Sequence, residues 1–198
     1  MRTIRYLAAL GFAPALAFAQ APAAAPAAAP PDAEQITAAV QALPAEYRAA
    51  AKVLGYHTGN TALVTLREGT SFTCLANNPA GKSFHVACYH QSLEPFMARG
   101  RALRAQGVKD DQVDTVRFAE VKSGKLAMPK QPAALYQLFG GTFDPKTGTV
   151  AGAHPLFVAY ISGATAASTG ISEKPQEGAP WIMYPGTPKA HIMLAPKM

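Results

Sequence analysis

The densest run of side chains suited to metal binding or acid–base chemistry lies between residues 85 and 94. His90 is predicted to end a strand, and Glu94 to lie in the first turn of the next helix, where the helix dipole favours a carboxylate. His85 is five positions from His90, so on one strand the two imidazoles face opposite sides. The spacing therefore favours His90 and Glu94 as the pair that would share a metal ion or a proton.

The C-terminal region offers a third metal ligand, His191, which follows Tyr184 across a Pro-Gly-Thr-Pro segment. If the last strands pair near the first sheet, His90, Glu94 and His191 supply three ligands for zinc or another divalent metal and leave one position for water. Such a metal-assisted hydrolase would use Glu94 as a ligand or general base, and Tyr184 or Arg99 to steady a developing anion. The alternative is structural: Glu94 stabilises the helix start, and the histidines are surface or hydrogen-bonded residues.

The sequence is also compatible with ligand binding without catalysis. The candidate ligand-binding residues are His90, Arg99, Tyr184 and His191. Arg99 belongs to a locally basic helical region that would attract an anionic ligand, although solvated helix faces often have this composition. The chain carries 18 basic and 12 acidic residues and a net charge of +6, yet the basic residues do not cluster. Because a nucleic-acid binder concentrates its positive charge, this composition argues against a nucleic-acid partner.

Cys74 and Cys88 are the two cysteines of the chain, and they are predicted to form a disulfide. The segment that they bound has β-prone ends and an Asn-Asn-Pro-Ala-Gly turn, a pattern typical of a hairpin. Strand pairing in such a hairpin would bring the two sulfur atoms together. The alternative, a redox-active or metal-binding pair, is disfavoured because the chain has no Cys-x-x-Cys spacing.

Residues 1–19 have the features of a secretory signal peptide. Arg2 and Arg5 precede an apolar stretch that ends in an Ala-Phe-Ala motif, so cleavage is predicted after Ala19. The apolar stretch is shorter than the ~20 residues that span a bilayer. Residues 20–31 are rich in alanine and proline and are predicted to form an extended tether. The mature protein is therefore expected in the periplasm or outside the cell.

The remaining residues, 32–198, are predicted to fold as a single globular α+β domain. Asp32 is expected to cap a helix that ends at Pro44. The next segments alternate in hydrophobicity and are joined by short turns, which predicts an antiparallel meander of four strands at 51–56, 61–67, 72–75 and 84–89.

Two amphipathic helices are predicted in the middle of the chain. The first runs from an N-cap at Ser92 to Gly107, and the second from Asp110 or Asp111 to the Ser-Gly pair at 123–124. Residues 133–139 are compatible with a short helix or a strand, and further strands are expected at 156–161, 181–184 and 190–194. This order predicts a largely antiparallel sheet with helices docked on one face and one disulfide.

A second uncharged stretch, residues 147–172, is not predicted to cross a membrane. Only 156–161 is strongly apolar, and glycines, a histidine and a proline interrupt the rest. No transmembrane segment is therefore expected in the mature chain.

Three blocks of sequence resemble a group of uncharacterised exported bacterial proteins of unknown function. The blocks are LREGT and FTC at 66–70 and 72–74, ACYH and SLEPFM at 87–90 and 92–97, and WIMYPGTP and HIM at 181–188 and 191–193. The resemblance covers most of the chain from about residue 50 to 195. It implies secretion and a shared fold, and it carries no catalytic assignment.

These patterns favour an exported domain that binds a small ligand or a component of the cell envelope. Two alternatives remain open. The first is the metal-assisted hydrolase that uses His90, Glu94 and His191. The second is an envelope-associated structural or interaction protein, which an exposed edge strand or apolar patch would indicate.

Overall fold

The computed structural model describes residues 28–196. The predicted signal peptide, 1–19, and the first part of the predicted tether, 20–27, lie outside the described residues. The helices are α1 Asp32–Ala39, α2 Ala45–Arg48, α3 Glu94–Ala105, α4 Asp110–Lys122 and α5 Ala166–Thr169, with 3₁₀ turns at Val40–Ala42 and Gln91–Leu93. The strands are β1 Ala51–Gly55, β2 Val64–Arg67, β3 Thr70–Leu75, β4 His85–His90, β5 Ala133–Phe139, β6 Thr142–Asp144, β7 Thr149–Ala151, β8 His154–Tyr160, β9 Trp181–Met183 and β10 His191–Leu194.

Eight of the described strands form one sheet in the order β2-β1-β3-β4-β5-β8-β10-β9, while β6 and β7 pair as a separate hairpin. Each neighbouring pair in the large sheet is antiparallel except β1 with β3, which is parallel. The predicted α+β class with a largely antiparallel sheet is therefore confirmed. None of the helices within residues 28–196 is both long and apolar enough to cross a bilayer.

The predicted meander of the first four strands is wrong in one connection. After β2 the chain crosses the end of β1, so β3 lies on the other side of β1 and runs parallel to it. Gly69 permits this crossing, because a Cβ added there would lie 2.3 Å from the backbone nitrogen of Lys52 and 2.4 Å from the carbonyl oxygen of Ala50. A side chain at this position would prevent so close a backbone approach.

Two apolar clusters cover opposite faces of the sheet. Cys88 of β4 belongs to the cluster beneath α1, with Leu43. Its neighbour Tyr89 belongs to the other cluster, with Leu93 and Met97 from the start of α3. Consecutive residues of a strand point to opposite faces, so helices pack on both sides of the sheet, where the sequence suggested one. The reason is that β4 carries buried side chains at consecutive positions and needs cover on both faces.

The helix ends agree with the sequence more closely than the helix starts. Gly107 and Gly124 follow α3 and α4 with φ of 81° and 73°, as a glycine C-cap requires. By contrast, Asp32 is the first residue of α1 and does not cap it. Ser92 lies inside the 3₁₀ turn, where its backbone N–H donates to the His90 imidazole. Histidine thus occupies the capping position that the sequence assigned to serine.

The C-terminal half resolves the open assignment of residues 133–139, which form β5. The predicted strands at 156–161, 181–184 and 190–194 correspond to β8, β9 and β10. The short helix α5 was not predicted. It is four residues long and held by a reciprocal capping box between Thr165 and Ser168, a signal that is easily missed in so short a segment.

The predicted disulfide between Cys74 and Cys88 is confirmed. The two residues are directly opposite each other in the β3–β4 pair, and both are fully buried against α1. The bond therefore joins the strands at the centre of one apolar cluster.

Candidate functional site

His90 lies on the α1 face of the sheet, at the exposed end of β4. Its ring makes an edge-on contact with Phe72 at 5.6 Å between centroids, and its Nδ1 is 2.9 Å from the Ser92 hydroxyl. The imidazole is therefore engaged in shaping the turn between β4 and α3.

Glu94 lies on the other face and belongs to a network with Tyr89 and Arg101. The Tyr89 hydroxyl donates to Glu94 Oε2 at 2.5 Å, and Arg101 Nη2 donates to Glu94 Oε1 at 2.6 Å. Arg101 Nη1 also donates to the Tyr89 oxygen at 2.6 Å, which closes the triangle. Burial raises the pKa of the Tyr89 hydroxyl, so the phenol stays neutral and serves as a donor. We call this set the Tyr89 network.

His191 is buried on the same face as Tyr89, much further along the sheet. Tyr89 pairs with Leu135 of β5, which pairs with Val158 of β8, which pairs with Met193 of β10. Tyr89 and Met193 are therefore three strands apart, about 14 Å at the usual strand spacing. His191 is two residues from Met193 and so shares its face, whereas His90 points to the opposite face. The predicted zinc ligands are therefore not brought together.

The metal-ligating side chains of the described chain are dispersed. Within residues 28–196, no group of three or more histidine, cysteine, aspartate or glutamate residues is arranged to hold a metal ion. The hydrolase that His90, Glu94 and His191 would form thus lacks its predicted centre among the described residues.

Arg99 does not face a binding site. Its guanidinium makes hydrogen bonds of 2.6 to 3.0 Å to both carboxylate oxygens of Glu120 and so ties α3 to α4. The hydrogen bond from Arg99 also lowers the pKa of the Glu120 carboxyl. Arg99 thus has a structural partner, and its role in anion binding stays a prediction.

His191 and Tyr184, both predicted site residues, are brought together. The His191 ring lies between Tyr160, at 4.8 Å, and Tyr184, at 5.6 Å. Its Nδ1–H donates to the Lys189 carbonyl oxygen at 2.7 Å. Burial lowers the pKa of His191, and it raises the pKa of the Tyr160 hydroxyl to about 12. Both rings are therefore neutral at neutral pH.

This aromatic stack is joined to α4 by charged residues. Lys189 Nζ is 4.3 Å from the centre of the Tyr184 ring and donates to Asp114 at 2.8 Å. Asp114 also accepts a hydrogen bond from Arg117, which is only 3% exposed and lies over the Phe96 ring at 3.9 Å. Burial raises the pKa of Asp114, but the hydrogen bonds from Lys189 and Arg117 outweigh it and leave that pKa below its ordinary value.

We expect the buried imidazole of His191 to make folding sensitive to mild acid. Because its pKa is lower in the folded protein than in the unfolded chain, the unfolded chain takes up the proton first as the pH falls. Its stabilising effect is complete above the ordinary histidine pKa of about 6.5 and is lost below that pH. Thermal unfolding between about pH 7.5 and pH 5.5 should show this loss.

The matched variant is His191→Phe, which keeps an aromatic ring in the stack and removes the titrating group. The melting temperature of this variant should fall less over the same pH interval. An equal fall in both proteins would assign the acid sensitivity to other groups.

A basic groove, missed from the sequence, adjoins the Tyr89 network. One cavity of about 530 Å³ lies between α3 and the loop that precedes β2, and its wall includes Tyr56, Ala62, Leu63, Arg101, Arg104 and Ala105. A second of about 330 Å³ shares Tyr56 and Leu63 and continues past Leu75, Ala76, Lys82, His85 and Ala87. Neither wall contains an acidic residue. We call the two cavities together the basic groove.

Local patterns in the sequence do not reveal this groove. Its walls come from the loop before β2, the turn before β4 and one side of α3, which only the folded chain brings together. The one available signal is the basic region of α3, where Arg101 and Arg104 line the groove but Arg99 does not. No family model, curated protein or solved structure matches the chain.

Proposed function

We propose that this protein is an exported domain that binds a small amphipathic anion in the basic groove. The observation that carries the proposal is the composition of the walls: apolar side chains are combined with Lys82, Arg101 and Arg104, and no acidic residue lies among them. Cavities that bind small molecules usually measure about 300 to 1,000 Å³ and combine apolar walls with a few placed polar groups. Both cavities fall within that range.

Arg101 supplies a fixed donor at the wall of the groove. Its guanidinium is held by Tyr89 and Glu94, so little conformational entropy remains to be lost when a ligand binds. Its charge is balanced by Glu94. Arg101 therefore orients a hydrogen-bond acceptor of the ligand rather than attracting it over a distance.

Arg104 supplies the positive charge that can form an ion pair with the ligand. It pairs with Asp110, but the side chains are 51% and 83% exposed, and an ion pair so accessible to water contributes little energy. A ligand anion can therefore take the place of Asp110 at low cost. Apolar atoms of the ligand would contact Leu63 and Ala105 in the same cavity.

Export is part of the proposal. It is supported by the signal-peptide pattern of residues 1–19, the confirmed disulfide and the resemblance to exported bacterial proteins. Expression with the native N-terminus in a Gram-negative host should yield periplasmic protein whose intact mass corresponds to a chain that begins at Gln20. Recovery of the chain with residues 1–19 still attached, in the cytoplasm, would contradict export.

The test of binding uses 1-anilinonaphthalene-8-sulfonate, an amphipathic anion whose fluorescence reports its environment. We expect saturable binding to the folded mature protein at one site. Arg104→Gln should weaken binding about tenfold or more, because it removes a hydrogen bond from a charged donor. Near-ultraviolet circular dichroism should show the same native packing before and after the addition.

The control is Lys146→Gln, which removes the same charge from the exposed turn between β6 and β7. It should leave the dissociation constant unchanged. Equal weakening by both variants would show that net charge alone governs binding, and an unaffected Arg104→Gln variant would exclude the groove as the site.

A further inference from the structure

A separate cavity of about 170 Å³ lies where β1 and β3 meet the start of α3. Its wall includes Lys52, Glu68, Thr70, Thr73, Gln91 and Glu94. We propose that this cavity, which we call the polar pocket, binds a small uncharged polyol. The proposal does not depend on the basic groove, because the two share no lining residue.

Thr73 indicates that the polar pocket is built to receive a hydrogen-bonding group. The residue is 3% exposed and lies between Lys52 of β1 and Tyr89 of β4 in strand register, on the face that α3 covers. Its hydroxyl makes none of the side-chain hydrogen bonds found in the described part of the chain, although it lines the pocket. The Thr73 hydroxyl is also not among the fully buried side-chain atoms that lack a partner, so it keeps access to the pocket and is available to a ligand.

The charges around the pocket select an uncharged ligand. Glu68 is 3.1 Å from Lys52, and Glu94 is 2.6 Å from Arg101, so each carboxylate already has a cation. A charged ligand therefore finds no unpaired counterion at this wall, whereas an uncharged ligand leaves both ion pairs intact. With Arg101, which pairs with Glu94 from outside the wall, the charges at the pocket cancel.

The hydrogen-bonding groups of the wall are of both kinds, which points to hydroxyl groups on the ligand. Glu68 and Glu94 accept hydrogen bonds, Lys52 donates them, and Thr73 and Gln91 do both. A hydroxyl group is also both donor and acceptor, so a molecule with several of them matches this wall. At about 170 Å³ the pocket is smaller than typical drug-sized sites, which limits the ligand to a small polyol.

Glu94 is held in place before a ligand arrives. Its two carboxylate oxygens accept from Tyr89 and Arg101, so its position does not depend on occupancy of the pocket. One side of the pocket is therefore rigid, and this lowers the entropy cost of binding.

The test is a titration of isotope-labelled mature protein with myo-inositol, followed by amide chemical shifts in NMR spectra. We expect saturable shifts at Thr70, Thr73 and Gln91. Thr73→Val, which keeps the shape of the side chain and removes its hydroxyl, should weaken binding about tenfold. Thr65→Val makes the same change at an exposed position of β2 and should leave binding unchanged.

Charged probes of similar size test the assignment to an uncharged ligand. Gluconate and N-methylglucamine, polyols of about the same size that carry one negative or one positive charge, should bind more weakly than myo-inositol, and tighter binding of either would overturn that assignment. The absence of saturable shifts with myo-inositol up to its solubility limit would overturn the site itself. If Thr73→Val fails to fold, the exposed Gln91→Ala variant replaces it, and undiminished binding there would also refute the proposal.

Discussion

Replacing Asp114 with alanine should lower the free energy of unfolding by about 3 kcal/mol, because it leaves a buried cation without its counterion. Asp114 accepts hydrogen bonds from Arg117, which is almost completely buried, and from Lys189, which holds the strand β10 to α4. In Asp114→Ala both cations lose this partner. Because Arg117 is almost completely buried, water cannot reach it to replace the carboxylate.

Urea unfolding followed by circular dichroism measures this loss. The control is Asp110→Ala on the same helix, since Asp110 also pairs with an arginine but is 83% exposed. That variant should change the free energy of unfolding by less than about 1 kcal/mol. Similar losses in the two variants would show that burial of Arg117 does not govern the effect.

Removal of the disulfide should have an effect of similar size. The bond between Cys74 and Cys88 closes a loop with a sequence separation of 14, for which the chain-entropy model predicts about 3 kcal/mol of stabilisation. We expect the double variant Cys74→Ala, Cys88→Ala to lose about this amount, plus the packing of two buried sulfur atoms.

Denaturant unfolding with and without reductant separates these contributions. In the parent protein, reductant should lower the midpoint of unfolding, since the unfolded chain exposes the bond. In the double variant, reductant should have no effect. An unchanged midpoint for the parent protein under complete reduction would show that the crosslink adds no stability.

Much of the fold was predictable because local signals and global packing agree. Asp144 and Gly148, residues typical of turns, bound a turn with a hydrogen bond of 2.8 Å from the Gly148 N–H to the Asp144 carbonyl oxygen and a positive φ at Gly148. The cysteine pair is opposite across a hairpin, as turn residues between two β-prone segments suggested. In each case a few neighbouring residues specify the conformation.

The strand order was less predictable because it depends on contacts between distant segments. Short connections favour a meander, and nothing near β2 indicates that β3 joins the other edge of β1. Gly69 is the informative residue. Its role is to allow the backbone of Lys52 to pass close by, and this contact exists only in the folded chain. A glycine beside a glutamate is otherwise an ordinary turn signal.

The predicted site illustrates the same limit. Types of residue and sequence spacing joined His90, Glu94 and His191, but alternation along β4 separates His90 from the other two. The order of strands then separates Glu94 from His191. His191 and Tyr184, which flank one short turn, are the predicted site residues whose rings lie close together.

Arg117 is an arginine of α4 that is almost completely buried, and a glycine of α3 makes this possible. A Cβ added to Gly100 would lie 2.9 Å from Arg117 Nη1, so the absence of a side chain on α3 makes room for the guanidinium. Gly100 in the middle of an amphipathic helix was thus the sequence signal of a buried arginine on the neighbouring helix.

The position of β10 within the sheet bears on the order in which the protein can mature. This strand follows all the other described strands along the chain, yet it lies between β8 and β9, and Lys189 lies just before it. Until residues 189–194 are in place, β9 lacks its neighbouring strand and Asp114 lacks the hydrogen bond from Lys189. This edge of the sheet and the tie between α4 and the aromatic stack therefore form together, and they wait for the same short segment of chain.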